Sequence, residues 1–386
     1  MRVAIVHDGF VPTYRVGLYE RLARDGAAEY VVFHGSPPAS AGSIAAAPPF
    51  AFPNVEVRQC ELRIAGTRLV YQRLVRELLT GGYDAVILGA YARFVSTVIA
   101  QPLLKASGRP VILWGQATDK ERDVGPGMRA LHRATARAKL AIARTADGYL
   151  AYTAGGARRL VYGGLSADRV FVVRNTLDVD AQRRWHAAVA SVDEDRLRAE
   201  LGLRPDSAVL VYLGRVYREK RVTDLVDAVR SIRADGICAV PLEVVVIGDG
   251  PELPAVRARA AGVEGVRLLG EVRDQAEIAR WLRVAAAVVI PGAVGLAINH
   301  AFAHGVPLVT RPNAFHGPEL DYLVHGVNGL VVDGDLRRFA AALAELAESP
   351  ARRAALAAGA TRTADDLKLD VMVEAFDRAV AAVTRG

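Results

Sequence analysis

The residues best suited to chemistry lie in the second half of the chain, where apolar runs end in glycine. In Leu213-Gly214-Arg215-Val216-Tyr217-Arg218-Glu219-Lys220-Arg221, Arg215 offers a forked donor and Lys220 a point charge, both suited to phosphate oxygens. Val246-Ile247-Gly248-Asp249-Gly250-Pro251 is a tight turn where a flat ring can lie against backbone around Gly248, Gly250 and Pro251. Residues 287–332 read AVVIPGAVGLAINHAFAHGVPLVTRPNAFHGPELDYLVHGVNGLVV. There a helix is expected to open at about Gly295 and stop at Gly305, between two apolar strands. Gly292, Val294, Gly295 and Leu296 bring backbone N–H groups and the helix's positive end toward one spot, an anion site. Glu319 follows a little downstream. Each stretch alone is ordinary, since αβ connections often carry glycine for steric reasons. Three such strand ends in one domain point to a single anionic ligand.

Histidines in this region admit two readings. His300 sits in an Ala-rich helix just beyond the anion site and is either a packing residue or a functional one. His304, one turn on, reads as structural, and His316 lies in a Gly-Pro loop within reach of the same ligand. In the first half, the strand ends offer His7, Asp8 and Gly9, then Tyr14 and Arg15, and later Gly115, Gln116 and Asp119. Strand-end caps are the plain alternative for His7 and Asp8. HDGFVPTYR lacks G-x-G-x-x-G, which argues against a nicotinamide dehydrogenase.

What must position these residues is an alternation of β-branched runs with amphipathic stretches. Runs at 3–6, 31–33, 85–88, 111–114, 149–152 and 170–173 alternate with stretches such as 18–22 and 69–79, expected as helices. A second series runs 209–213, 242–247, 266–269, 287–290, 308–309 and 329–332. The expected fold class is α/β: two Rossmann-like, doubly wound domains facing a central cleft. The first covers residues 1–180 plus 366–386; the second covers 181–365 and holds the three glycine-rich strand ends. The last helix, at about 371–383, has no strand to follow and is expected to pack back on the first domain. Residues 35–53, rich in Ala, Ser, Pro and Gly, read as a loop outside the core.

The bulk numbers agree. A chain of 386 residues is long for one core, and 52% hydrophobic residues make it globular. Its first apolar run is too short for a signal peptide, and no run reaches the length of a membrane span. Cys60 and Cys238 lack metal-ligand spacing and suit a reducing, cytoplasmic compartment. The net charge of +7 is partly local: Arg129, Arg133 and Arg137 recur every fourth residue along a helical row. That row reads either as a solvated face or, with the rest of the basic 129–144 helix, as a surface for a phosphorylated acceptor or for anionic lipid in a peripheral contact at the inner membrane face. No aromatic platform accompanies it, so nucleic acid is not expected.

These motifs together resemble family 4 of the retaining glycosyltransferases of the GT-B type. GRVYREKR is similar to the family's G-R-x-x-x-E-K-G segment, GDGP to its G-x-G-P turn, and GLAINHAFAHGVPLV to the helix ending in G-x-P-V-V. Glu319 with GVNGLVV is similar to the E-x-x-x-x-G-x-N-G-x-L-V tail. The resemblance implies that Arg215 and Lys220 hold the diphosphate of a nucleotide sugar (UDP- or GDP-linked), that Glu319 binds the ribose, and that backbone around Gly295 and Leu296 takes phosphate. The family's paired glutamates, eight positions apart, read Gly292 and His300 here. PGAVGL, His300 and HGPE are similar to a branch from bacterial polysaccharide and saccharide assembly. Gln116 stands where the family's first-domain catalytic histidine would be sought.

The mechanism this implies is sugar transfer with retention onto a saccharide, lipid-linked or small-molecule hydroxyl. Arg215, Lys220, His300 and Gln116 are the candidate catalytic residues; His7, Asp8, Tyr14 and Arg15 face the acceptor. No cofactor and no metal are expected, because the Asp-x-Asp runs fall in linker or surface contexts. Two alternatives stand beside it: a nucleotide-sugar epimerase of the same layout, and a catalytically silent nucleotide-sugar-binding relative.

Overall fold

The computed structural model describes residues 1–38, 44–64, 67–91, 93–117 and 126–385, with backbone alone for 64, 67 and 126–133. Two compact units result: the chain up to Asp178 together with residues from Leu369 onward, and residues 179–368.

In the first unit the strands are β1 (Arg2–Val6), β2 (Glu29–His34), β3 (Asn54–Glu56), β4 (Gln59–Ile64), β5 (Thr67–Gln72), β6 (Ala85–Gly89), β7 (Val111–Gly115), β8 (Gly148–Ala151) and β9 (Val170–Val172). Seven form one parallel sheet in the order β3-β2-β1-β6-β7-β8-β9, while β4 and β5 pair antiparallel as a separate arm. The order reverses direction between β1 and β6, the switch point where open α/β sheets bind ligands. The arm corrects the sequence reading: 69–79 is not one helix, since β5 occupies its first part and helix only Val75–Thr80. Alternating Glu61-Leu62-Arg63 and Arg68-Leu69-Val70 face each other across the arm, and strand pairing overrides the local helical spacing. Residues 35–53 also contribute more than a loop. Phe52 is buried, stacked on Phe50 and tilted against Tyr19 in the core.

The final helix, Leu369–Thr384, belongs to this first unit, as expected. Its apolar residues Leu369, Met372, Val373, Phe376 and Val380 recur at helical spacing and are all buried with Trp114 and Leu18. Burying each large side chain contributes on the order of 1.5–3 kcal/mol. Polar contacts fix its register: Asp377 accepts from the Tyr30 hydroxyl at 2.7 Å, and Asp370 pairs with Arg21.

The second unit has β10 (Ala208–Leu213), β11 (Leu242–Ile247), β12 (Val266–Gly270), β13 (Ala285–Val289), β14 (Leu308–Thr310) and β15 (Gly329–Val331). They form one sheet of parallel neighbours, ordered β12-β11-β10-β13-β14-β15, with its switch point between β10 and β13. β10 and β11 are buried along their whole lengths, which explains their apolar runs, broken in β11 only by buried Glu243, which pairs with Arg267 at 2.9 Å.

Candidate functional site

In the second unit the expected residues converge on the C-terminal ends of β10, β11 and β13. Gly214 follows β10 with φ +135°, Gly248 follows β11 with φ +143°, and Gly250 has φ +158°. Close approach is what demands glycine here. A Cβ on Gly248 would lie 1.9 Å from the Gly214 carbonyl oxygen, and one on Gly250 2.2 Å from that of Val216. The Val216 amide donates to the Asp249 carbonyl at 2.8 Å, so the two loops are stitched together. Arg215 stands exposed on this edge, its carbonyl accepting from the Tyr212 hydroxyl at 2.7 Å. Beside the second loop, Asp249, Gly250, Pro251, Leu253 and Arg257 line an open depression.

Lys220 is buried at 7% exposure, and its Nζ donates to the Ala293 carbonyl at 2.5 Å. The same Nζ lies 5.4 Å from the centre of the Tyr217 ring. It stands 4.0 Å from where a Cβ on Gly295 would sit, so lysine and turn share one spot. Burial raises the Tyr217 hydroxyl, as do the charges of Glu219 and Glu319, which brings Glu319 to this neighbourhood. Glu319 is itself buried, in the short 3-10 turn Pro318–Tyr322.

After β13 the turn is tied down residue by residue. The Gly292 amide donates to the Lys220 carbonyl at 3.0 Å and the Ala293 amide to the Glu219 carbonyl at 2.8 Å. The Val294 amide donates to His316 Nδ1 at 3.1 Å, and the Val294 carbonyl accepts from the Gly317 amide at 2.8 Å. Among the described residues, the amides of Gly295 and Leu296 are the first with no protein acceptor. The next helix, Ala297–Ala303, spans only 7 residues and ends where Gly305 turns left-handed at φ +67°.

The histidines divide in a way the sequence left open. Burial lowers His300 to about 4, and its Nδ1 is buried with no hydrogen-bond partner. His304 is a packing residue: it lies edge-on to His186 at 5.4 Å, with Nε2 at 3.2 Å from Gln182 Oε1. His316 holds backbone with both ring nitrogens, Nδ1 as above and Nε2 on the Arg311 carbonyl at 2.9 Å.

In the first unit the candidates gather at the β1/β6 switch point, though not as an array of exposed contacts. The His7 Nδ1 lies 2.6 Å from the Tyr19 hydroxyl, and burial with the Arg15 charge lowers His7 to about 3. Asp8 packs on Gly89, where a Cβ would meet its Oδ2 at 2.0 Å. Both Asp8 oxygens are sealed from solvent, and burial raises the carboxyl to about 8 against the pull of the Arg93 charge and the Tyr91 backbone. Arg15 corrects the expectation that it meets an acceptor. It is 1% exposed, stacked 4.7 Å over Trp114 and 5.6 Å over Tyr152, and it donates to Asn175 Oδ1 and to Met372 Sδ. Neighbouring Tyr14 is 36% exposed and stays available. Gln116 Nε2 donates to the Tyr91 hydroxyl at 3.1 Å.

Tyr91, Tyr152 and Asn175 were not singled out from sequence, although Tyr91 follows the end of β6 and the strand-end rule reaches it. Asp119 and the side chains of Arg129 and Arg133 lie outside the described residues. The basic segment itself is helical over Pro126–Thr145, and Arg137 on it is exposed. No described helix is long and apolar enough to cross a membrane, and no described cluster of three or more His, Cys, Asp or Glu could hold a metal ion.

Residues 207–349, which hold β10 to β15, match the family described as Glycosyl transferases group 1. The chain is similar to a D-inositol 3-phosphate glycosyltransferase from Thermomonospora curvata, 32% identical over 244 residues, 59% of this chain and 55% of the relative. The chain thus spans about half the length of the curated relatives it matches. Among solved structures, HepE of Anabaena in complex with UDP superposes with a TM-score of 0.69 at 15% identity, over 98% of this chain and 99% of that one. Sucrose-phosphate synthase from Thermosynechococcus elongatus gives 0.70 at 16% identity, over 97% and 96%. These likenesses span both units and show the fold, the GT-B architecture of two parallel α/β units.

Proposed function

We propose that this chain is a nucleotide-sugar-dependent glycosyltransferase that moves a hexose, with retention at the anomeric carbon, onto a hydroxyl acceptor. The observation that carries the reading is the convergence, at the β10/β13 switch point, of buried Lys220, the unclaimed amides of Gly295 and Leu296, and buried Glu319. The match of residues 207–349 to the group 1 transferases supports it, as do the UDP complex of HepE and the curated relatives' names.

In this reading the donor's diphosphate lies on Lys220 and the two amides, Arg215 reaches it from the exposed edge, and Glu319 takes the ribose hydroxyls. The barrier is departure of the diphosphate from the anomeric carbon. Positive groups fixed in advance stabilise the charge that builds on the leaving oxygen. Glu319, the site's buried carboxylate, is assigned to the ribose in this reading, so the step is written without a covalent enzyme nucleophile. The acceptor oxygen therefore forms its bond on the face the diphosphate leaves, and the departing phosphate oxygen takes the acceptor's proton. The cation set supplies the charge stabilisation, so the step is written without a metal. Of the first unit's strand-end groups, Tyr14, Tyr91 and Gln116 are proposed for the acceptor, a saccharide, lipid-linked or small-molecule alcohol, while the sealed carboxyl of Asp8 is not. A contact of the basic helix with anionic membrane is proposed on its charge.

A thermal-shift panel of UDP, GDP, ADP and their hexose conjugates tests the donor class, since a ligand bound only by the folded state raises its stability by mass action. Product analysis is then run with and without an acceptor mixture. Transfer only with acceptor present is expected. Donor turnover alone would indicate an epimerase, and binding without turnover a silent relative.

A further inference from the structure

We propose that His316, held as the neutral Nε2–H tautomer, is the positioning residue that shapes the phosphate-binding turn of the second unit; this rests on the donor reading above. A backbone amide can only donate, so the His316 nitrogen facing the Val294 amide at 3.1 Å must be an acceptor. A carbonyl can only accept, so the nitrogen facing the Arg311 carbonyl at 2.9 Å must carry the proton. The two bonds together admit one protonation state.

The sequence builds both anchors. Downstream of β14, Asn313 Oδ1 accepts from the Phe315 amide at 2.7 Å, a two-residue side-chain turn that reverses the chain toward His316. Arg311, which supplies the carbonyl, is itself fixed: it pairs with Asp224 at 2.8 Å, donates to the Gly334 carbonyl at 2.9 Å and lies over the Phe339 ring. Arg311 is thus held by contacts that do not involve the histidine. At the other end, Val294 is held on both its polar groups, by His316 on the amide and by Gly317 on the carbonyl. Its neighbours Gly292 and Ala293 are held by the 219–220 backbone.

The consequence is directional. With the Val294 amide claimed by the imidazole, the turn first offers open amides at Gly295 and Leu296, next to Lys220. His316 does not touch the phosphate. It sets which amides do.

The test uses the number of bonds from Cβ. The Oδ1 of asparagine is two bonds out, like Nδ1; the amide nitrogen of glutamine is three bonds out, like Nε2. His316→Asn therefore keeps an acceptor for Val294, and His316→Gln keeps only the donor to Arg311. UDP and GDP are titrated into the full chain by calorimetry, and the tighter is used for all variants. His316→Gln is expected to weaken that nucleotide about tenfold, and His316→Asn to stay within about threefold of wild type. Independently of any nucleotide, ring 15N shifts of His316 should report a neutral Nε2–H imidazole, and hydrogen exchange at the Val294 amide should speed up in His316→Gln only. Equal nucleotide affinities for the two variants, or unchanged Val294 exchange in both, would overturn the proposal. If wild type binds no nucleotide while the exchange and tautomer results hold, the clip stands and the donor reading, with the assigned purpose of the clip, fails.

Discussion

Gly292 and Glu219 are pressed so closely together that a Cβ at Gly292 would stand 2.0 Å from the Glu219 carbonyl oxygen. The same carbonyl accepts from the Ala293 amide at 2.8 Å, so it cannot retreat without breaking the contact that shapes the turn. Position 292 is, in this backbone, closed to any side chain.

A side chain at this position should therefore harm the protein. Gly292→Ala is expected to cost about 1–3 kcal/mol by overpacking, and Gly292→Glu more, read as a fall in melting temperature. Both should lose nucleotide binding. A Gly292→Glu variant that is as stable as wild type and binds donor more tightly would show that the backbone yields.

Asp8 sets a pH dependence whose sign is fixed. Its folded pKa of about 8 lies above the ordinary value of 3.8, so between those limits the folded chain holds a proton that the unfolded chain has lost. Its contribution to stability is complete below about 4 and is lost as pH rises to 8. Asp8→Asn removes that loss. The variant should gain stability over wild type by more at pH 8 than at pH 5, measured by thermal melts across that range. An equal effect at both values would mean that Asp8 is ionised in the folded protein.

His300 works in the opposite sense. Burial lowers it to about 4 from 6.5, so the unfolded chain binds the extra proton between those values and stability falls as pH drops through that window. His300→Gln should flatten this part of the acid limb. An unchanged slope would assign the acid sensitivity elsewhere.

Arg15 joins three parts of the first unit: its own helix, Asn175, and Met372 of the last helix. Arg15→Ala should lose about 2–4 kcal/mol through the lost bonds and the space left beside Trp114. Arg15→Lys should recover only part, because an ammonium cannot fork or stack as a guanidinium does. Full stability of Arg15→Lys in chemical denaturation would make this site a simple charge requirement.

Much of the second unit was legible in its sequence. Buried parallel strands are continuous apolar runs, and glycines where loops approach each other are visible as Gly214, Gly248 and Gly250. Whether a charged residue faces ligand or core was not legible. Tyr14 and Arg15 are adjacent, yet one is exposed and the other sealed, because the helix Thr13–Asp25 turns Arg15 inward onto Trp114. The role of His316 was hidden for a similar reason. It is defined by two backbone partners, of which Val294 lies 22 positions away. The arm of β4 and β5 was missed because strand pairing, not local spacing, decides such short segments.

The proposed phosphate site is made of protein cations and amides. Calorimetry of UDP and GDP against wild type, Arg215→Ala and Lys220→Met, all in EDTA, tests it most directly. One nucleotide should bind wild type without metal, weaken at least about tenfold in Arg215→Ala, and weaken about a hundredfold or vanish in Lys220→Met, with circular dichroism unchanged. Binding that ignores both substitutions, or that returns only with a divalent cation, would contradict the account.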